Sequence, residues 1–551
     1  MKTRKAIVVL LALIMILGIV SCNGSKSNEN TPPPAATVAP STDSSTPSPA
    51  NGGEKTDVSP ATTAPTESAP PVTSDRTLNV AVAQDSGTLH PFKATAMGFM
   101  GIARCCYDVL FDYQSDGTID YLLSTGWDDV SDLEHTLHLR EGVVFSNGNP
   151  FTASDVMFSL KMAANDPQWF MNVNTVDFDK TKIIDDHTID LWFTTVDVEQ
   201  FPGLMLMYIM DEESYDEQAL ATNTIGTGPY VVTDYVPNSH VTVNVNDKYW
   251  GTPPAIKTIN FQVMNENSQR TNAFSIGELD YAGISAEDSE YISSLGGYNV
   301  DIWKSGSCAL AYFNVTPGTP LATLDARKAV MHAIDRQSIN NICYSGLSSL
   351  PRWGMTEANM DFEERFIDPN DDVYSVGYNP DRAKTEAEAA GLVGQKLRIM
   401  TNGQESFISM AEIIQQNLKA IGIDSDILNY DQATYWGMLM DPSNYEIALY
   451  MNGSPKNLSI DQFPGYVQFF SLGWEGKARD DFLALGLKGL ATSDAKARSD
   501  ILYEVGREWE NIHLWFALAE NINPVAISKD LGNVKPYSDG EVRYYTWYWV
   551  N

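Results

Sequence analysis

The sequence predicts an α/β protein carried behind a long unstructured leader. From Thr77 onward, strand-like and helix-like segments alternate with no fixed repeat period, the pattern of sheets covered by helices. Hydrophobic residues make up 43 % and aromatic residues 11 % of the 551 residues, which supplies a large core and exceeds one ordinary domain. Residues 23–75, in contrast, are Ser, Thr, Pro, Ala, Asn and Gly with almost no large apolar side chain, so they cannot bury enough surface to order themselves.

The chain opens with the basic residues Lys2, Arg4 and Lys5, followed by the apolar run Ala6–Val20. That run is too short to span a bilayer comfortably and reads as a signal peptide over residues 1–21. It ends in Ile19-Val20-Ser21-Cys22, which resembles a bacterial lipobox and implies cleavage before Cys22 and diacylation of that residue. Two acyl chains anchor stably, at roughly 0.8 kcal/mol per buried methylene. Residues 22–75 then form the lipidated cysteine and a disordered tether, whose root-mean-square span of roughly 40 Å is stretched further by its prolines. The expected location is extracytoplasmic, at the outer face of the cell membrane.

Beyond the tether, Thr77–Val82 alternates as a strand. Thr152 precedes Ala153-Ser154-Asp155 and the apolar Val156, Phe158 and Leu160, so it is expected to cap a helix carrying an acid in its first turn. Thr188–Phe193, Val241–Val245, Leu310–Asn314, Leu397–Thr401 and Glu446–Tyr450 read as further strands. Leu324–Ile334 reads as a helix with Arg327 and Lys328 outward, Ala329, Val330 and Ala333 inward, and His332 partly exposed. Ala411–Ile421 reads as an amphipathic helix with Ile413, Ile414, Leu418 and Ile421 on one face, closed by Gly422 in the left-handed conformation. This alternation predicts parallel sheets, whose sites lie at strand carboxyl ends and between lobes. The terminal run Tyr544-Tyr545-Thr546-Trp547-Tyr548-Trp549 looks like a carbohydrate platform, but alternation favours core and sheet edge.

Asp and Glu number 71 against 36 Lys and Arg, and the resulting charge of −35 excludes sequence-independent attraction to nucleic acid or anionic lipid. The acidic runs lack the Asp/Asn alternation with fixed Gly of a calcium loop, and Cys105, Cys106, Cys308 and Cys343 lack zinc or redox spacing. No metal or cofactor is expected. The four cysteines are expected as core thiols, and an extracytoplasmic setting leaves any disulfide pairing open. The absence of GxSxG, HExxH and Walker A sequences predicts that the chain is not an enzyme.

A series of local signatures then follows in fixed order: Leu89-His90-Pro91-Phe92, Tyr107-Asp108-Val109-Leu110-Phe111, Thr136-Leu137-His138-Leu139-Arg140-Glu141-Gly142, and Pro150-Phe151-Thr152-Ala153-Ser154-Asp155. Gly226-Thr227-Gly228-Pro229-Tyr230, Asn246-Asp247-Lys248-Tyr249-Trp250-Gly251, Asp325-Ala326-Arg327 and Tyr378-Asn379-Pro380-Asp381 continue it. Over residues 77–551 the order resembles the family 5 solute-binding proteins of bacterial ABC importers, the oligopeptide, dipeptide and nickel binders. The resemblance implies a periplasmic-binding-protein-like type II fold, with two lobes joined by a two-strand hinge plus an inserted third domain. The expected boundaries are 76–104, 223–305 and 506–551 for lobe I, 105–222 for the insert and 306–505 for lobe II. A monomer of this kind closes over a small-molecule ligand and presents it to ABC permease subunits. Within the motifs Gly148 and Gly228 are expected to permit turns, Pro91 and Pro229 to fix backbone angles and Trp250 to pack.

Peptide binders of the family hold the ligand ammonium with an aspartate two residues after a tryptophan. The matching strand here puts Tyr450 at the tryptophan position and Asn452 at the aspartate position, so the charge is missing unless another carboxylate such as Asp461 supplies it. Dipeptide binders also place an arginine after the strand matching Leu397–Thr401, where this chain has Asn402-Gly403-Gln404-Glu405. The expected contacts are Asn452, Tyr450, Trp436, Tyr435, Thr95, Asn402, Gln404 and Trp474. For the aromatic members core packing is the competing role. A peptide is the expected ligand, an oligosaccharide on the same fold is the alternative, and a sensor role suits the anchor and tether equally.

Overall fold

Ten strands form one mixed sheet in the computed structural model, which describes residues 75–94, 99–113, 118–166, 169–196, 200–204, 207–351, 377–452, 467, 473–537 and 542–550. In chain order they are β1 (Leu78–Val82), β2 (Tyr230–Val236), β3 (His240–Val245), β4 (Thr258–Val263), β5 (Tyr281–Gly283), β6 (Tyr298–Phe313), β7 (Lys396–Thr401), β8 (Asp424–Asn429), β9 (Ile447–Asn452) and β10 (Trp515–Ser528). Across the sheet they run β8-β7-β9-β6-β10-β5-β1-β4-β3-β2. The expected signal peptide, Cys22 and the expected tether up to residue 74 lie outside the described residues.

The expectation of parallel sheets holds only in part. β1 is parallel to β4 and β5, and β7 to β8 and β9. Around them β2, β3 and β4 form an antiparallel meander, and β6 pairs antiparallel with both β9 and β10. A tight turn joins β2 to β3, whereas β6 meets its antiparallel partners β9 and β10 only after long returns of the chain, and each parallel pair needs a crossover.

β6 and β10 each belong to more than one core. Cys308 to Phe313 of β6 and Trp515 to Ala519 of β10 pack in one core with the helices Leu324–Ala333, Glu405–Ala420 and Ala495–Ile512. Farther along, Trp303 packs against the second core, and Val525 and Ile527 belong to it. These are the two crossing strands of a two-lobed α/β fold. Their register breaks between Lys304 and Cys308, where residues 305–307 stand opposite Asn521 alone. The apolar pattern predicted only the second half of β6 because Lys304-Ser305-Gly306-Ser307 interrupts it.

A separate antiparallel sheet carries Ser124–Asp129, Glu134–Leu139, Thr188–Trp192 and Lys182–Asp185 in that order. Beside it, Thr152 sits at the N-cap of the Ala153–Asn165 helix, and Asp155 accepts from the Thr152 N–H at 2.8 Å and its hydroxyl at 3.1 Å. Asp155 also accepts from the Glu212 N–H at 2.9 Å, so this cap ties the helix to a distant segment.

Several family motifs meet at one buried acid. Asp108 accepts from the Trp250 indole N–H at 2.8 Å and the Thr227 hydroxyl at 3.0 Å, while Arg140 lies over the Trp250 ring at 4.4 Å. Gly148 has φ 105° as expected of a turn, but Gly228 is required for a different reason. A Cβ there would lie 2.6 Å from the Cys106 carbonyl carbon and 2.7 Å from the Cys105 carbonyl oxygen, so close approach of backbones demands glycine.

Three other expectations need correction. Arg327 is buried rather than outward: its guanidinium donates to the carbonyls of Ile512, Leu321 and Ala322, closing the end of the Ala495–Ile512 helix. His332 is buried rather than partly exposed, with Nδ1 2.7 Å from Glu386 Oε2. The amphipathic helix closed by Gly422 begins at Glu405, six residues before the predicted start at Ala411. Tyr544, Trp547 and Trp549 are buried in the second core, which accounts for the terminal aromatic run. Cys105, Cys106, Cys308 and Cys343 are free thiols, and burial pushes Cys106 up to about 12 and Cys343 up to about 11.

Candidate functional site

Parallel strands β7 and β9 deliver their carboxyl ends to the same edge of the sheet, with Ile399 opposite Ile447 and Met400 opposite Ala448. Such ends are where open α/β sheets hold ligands. β9 reaches Asn452, which pairs with Cys308 of β6, and Cys308 pairs in turn with Glu520 of β10. Asn452, Cys308 and Glu520 thus stand in one row across three adjacent strands. With neighbouring strands about 4.8 Å apart, the row spans about 10 Å from Asn452 to Glu520. It lies beside the register break of the crossing strands.

Aromatic residues edge the row. The helix Gln432–Leu439 sets Trp436 against Tyr450, ring centroids 5.0 Å apart and nearly perpendicular, and both side chains are half-buried. Tyr435, the adjacent residue, has no exposure at all; its hydroxyl donates to the Leu449 carbonyl at 2.6 Å and its ring stacks on Tyr450. Tyr435 therefore positions Tyr450 and presents no surface of its own.

At the end of β7, Asn402 is buried and its side-chain carbonyl accepts from the Gln404 N–H at 3.3 Å. Gly403 holds φ 81° between them, and Gln404 is exposed at the entry to the Glu405–Ala420 helix. This turn shapes the strand end, and Gln404 is its open polar group. Trp474 sits elsewhere. It is half-buried against Phe482 at 5.7 Å, and the preceding Gly473 abuts Thr316, beyond the end of β6 where Phe313 pairs with Ile447. The Asn452 row is five residues back along β6, so the structure does not bring Trp474 to it. Thr95 and Asp461 lie outside the described residues.

The sequence pattern missed Glu520. Its side chain has no exposure; Oε2 accepts from the Ser349 hydroxyl at 2.6 Å and lies 3.8 Å from the Lys304 ammonium. The available signal was a lone carboxylate inside the apolar run Leu514–Ile527, a costly placement that calls for a partner. Among the described residues no group of three or more His, Cys, Asp or Glu side chains is arranged to hold a metal ion. A surface groove lined by Thr125, His138, Glu141, Asp185, Asp186 and His187 belongs to the small antiparallel sheet, apart from these strand ends.

Residues 118–469, more than half of the chain, match the family model for bacterial extracellular solute-binding proteins, family 5. The chain belongs to this family. Among family 5 relatives, the dipeptide-binding protein of Escherichia coli K12 is 24 % identical over 374 residues, covering 60 % of this chain and 67 % of the relative. The nickel-binding periplasmic protein of the same organism is 25 % identical over 371 residues, covering 61 % and 68 %. Among solved structures, the substrate-binding protein CtaP of Listeria monocytogenes superposes with a TM-score of 0.74 at 21 % identity, covering 86 % of this chain and 99 % of that one. The oligopeptide-binding protein AppA of Bacillus subtilis, solved with a nonapeptide, gives 0.72 at 15 % identity over 88 % and 100 %. At these identities the superpositions establish the periplasmic-binding-protein-like fold. Family 5 membership makes the chain an extracytoplasmic solute-binding protein of the ABC-transporter class.

Proposed function

We propose that this chain is a lipid-anchored binding protein of an ABC importer that takes a peptide between its two lobes and delivers it to the permease. One observation carries the reading: the Asn452–Cys308–Glu520 row, edged by Trp436 and Tyr450, runs from the carboxyl end of β9 across β6 and β10, the strands that cross between two cores. Dipeptide and oligopeptide binders among the relatives support a peptide ligand. The Ser21-Cys22 junction and the tether support an anchor at the outer membrane face. In this reading lobe I comprises 76–104, 223–305 and 506–551, lobe II comprises 306–505, and a monomer closes by bending at β6 and β10.

The neutral residues Asn452, Asn402 and Gln404 favour a second reading, an oligosaccharide whose hydroxyls take uncharged hydrogen bonds and whose faces stack on Trp436 and Tyr450. Native mass spectrometry of the full chain, purified without denaturant, separates the two. A co-purifying mass that fragments into amino-acid residues is expected. Hexose-spaced fragments would transfer the site to the second reading, and turnover of added peptides would remove both.

A further inference from the structure

We propose that Glu520 supplies the anionic contact for a cationic group of the solute, the contact that Asn452 does not make. The inference rests on the proposed peptide reading and names the chemistry of its anchor. Three observations carry it. First, register places Glu520 in line with Asn452 across β10, β6 and β9, two strands away with the buried Cys308 between them. Second, the carboxylate is held in place by the chain's own groups. Its residue is clamped by the Ser348 hydroxyl on its carbonyl at 2.7 Å and by its own N–H on the Ser349 carbonyl at 3.0 Å, and Ser349 Oγ donates to Oε2 at 2.6 Å. Third, the other oxygen, Oε1, is buried and has no hydrogen-bond partner among the described residues.

A buried carboxylate oxygen without a donor is costly, and a donor that also carries positive charge offsets that cost best. Lys304 stands 3.8 Å from Oε2, which is an ion pair but beyond hydrogen-bond length, and its side chain is 42 % exposed. It therefore leaves the buried Oε1 without a donor among the described residues, the place an ammonium would fill. A peptide amino terminus or a lysine-like side chain fits this chemistry; a neutral sugar does not.

The test compares full-length protein, stripped of bound solute, with its Glu520→Gln and Lys304→Met variants. The probes are a synthetic library of di- to pentapeptides with free amino termini and the same library N-acetylated, read by thermal shift and calorimetry. Wild type is expected to prefer the free-amine library. Glu520→Gln keeps the Ser349 contact and is expected to weaken free-amine binding about 10- to 100-fold while leaving acetylated binding unchanged. Lys304→Met is expected to retain the preference.

Equal binding of the free-amine library by wild type and Glu520→Gln would overturn the role of Glu520 and leave the peptide reading standing. Equal losses in Glu520→Gln and Lys304→Met would show a structural ion pair and overturn it also. Stabilisation by neither library would remove the peptide reading together with the anchor. Unfolding of Glu520→Gln without solute, at a melting temperature well below wild type, would assign the carboxylate to the fold.

Discussion

Replacing Asp108 by Asn tests whether the family motifs act as scaffold. Asp108 is buried, and burial pushes its carboxyl up from 3.8 to about 6 despite hydrogen bonds from Trp250 and Thr227 and the nearby charges of Arg104 and Arg140. A carboxyl raised on folding favours the protonated native state. Its contribution to stability is therefore complete below about 3.8 and is lost as pH rises through about 6. At about 1.4 kcal/mol per pH unit the full difference is about 3 kcal/mol, of which about 2 falls between pH 4 and pH 7. The Asn variant has no proton to lose there. Urea unfolding of wild type and Asp108→Asn at pH 4, 5, 6 and 7 measures the difference directly. The variant is expected to gain on wild type by about 2 kcal/mol across that range, whatever its absolute stability. Stability curves that stay parallel from pH 4 to pH 7 would refute the burial of an ionisable group at this junction.

Two further outcomes are expected. Arg543 and Asp112, both almost wholly buried and 2.6 Å apart, join the C-terminal segment to the short strand Phe111–Tyr113; Asp112→Ala should cost about 3 to 5 kcal/mol, read as a lowered melting temperature, and an apolar replacement of both partners should recover much of it. Trp436→Ala should weaken binding of a di- to pentapeptide mixture about 5- to 10-fold, whereas Tyr435→Phe should leave affinity unchanged and cost about 1 kcal/mol of stability, so calorimetry and thermal melts together distinguish a contact from its support.

Much of the fold was legible because strands and helices announce their periodicity. Val241–Val245 alternates cleanly and Leu397–Thr401 is an apolar-rich run, and they became β3 and β7 almost residue for residue. What periodicity cannot convey is direction and pairing. The choice between parallel and antiparallel neighbours depends on where each crossover returns, so β6 and β10 could not be foreseen as antiparallel partners from either strand alone. Polarity misled at Arg327 for a related reason: guanidinium is read as outward, yet three carbonyls released by a helix end and a loop draw it into the interior. At Tyr435 and Trp436 the segment is apolar on nearly every side, and only tertiary packing decides that the first is core and the second half-open.

The residues that make the family recognisable are different in kind from those that would choose a solute. Asp108, Thr227, Trp250, Gly226 and Gly228 lock segments from distant parts of the sequence together, and each tolerates little change because its partner is a backbone atom or a buried polar group. Positions at the strand ends face no such demand. At position 452 the backbone pairing with Cys308 does not depend on which side chain stands there. A compensating carboxylate need not occupy the same motif either, since any residue brought into the row by register can serve, and Glu520 comes from a strand nearly 70 positions later. In the proposed site, ligand choice is therefore a property of a row across the sheet, which becomes visible only once pairing is known.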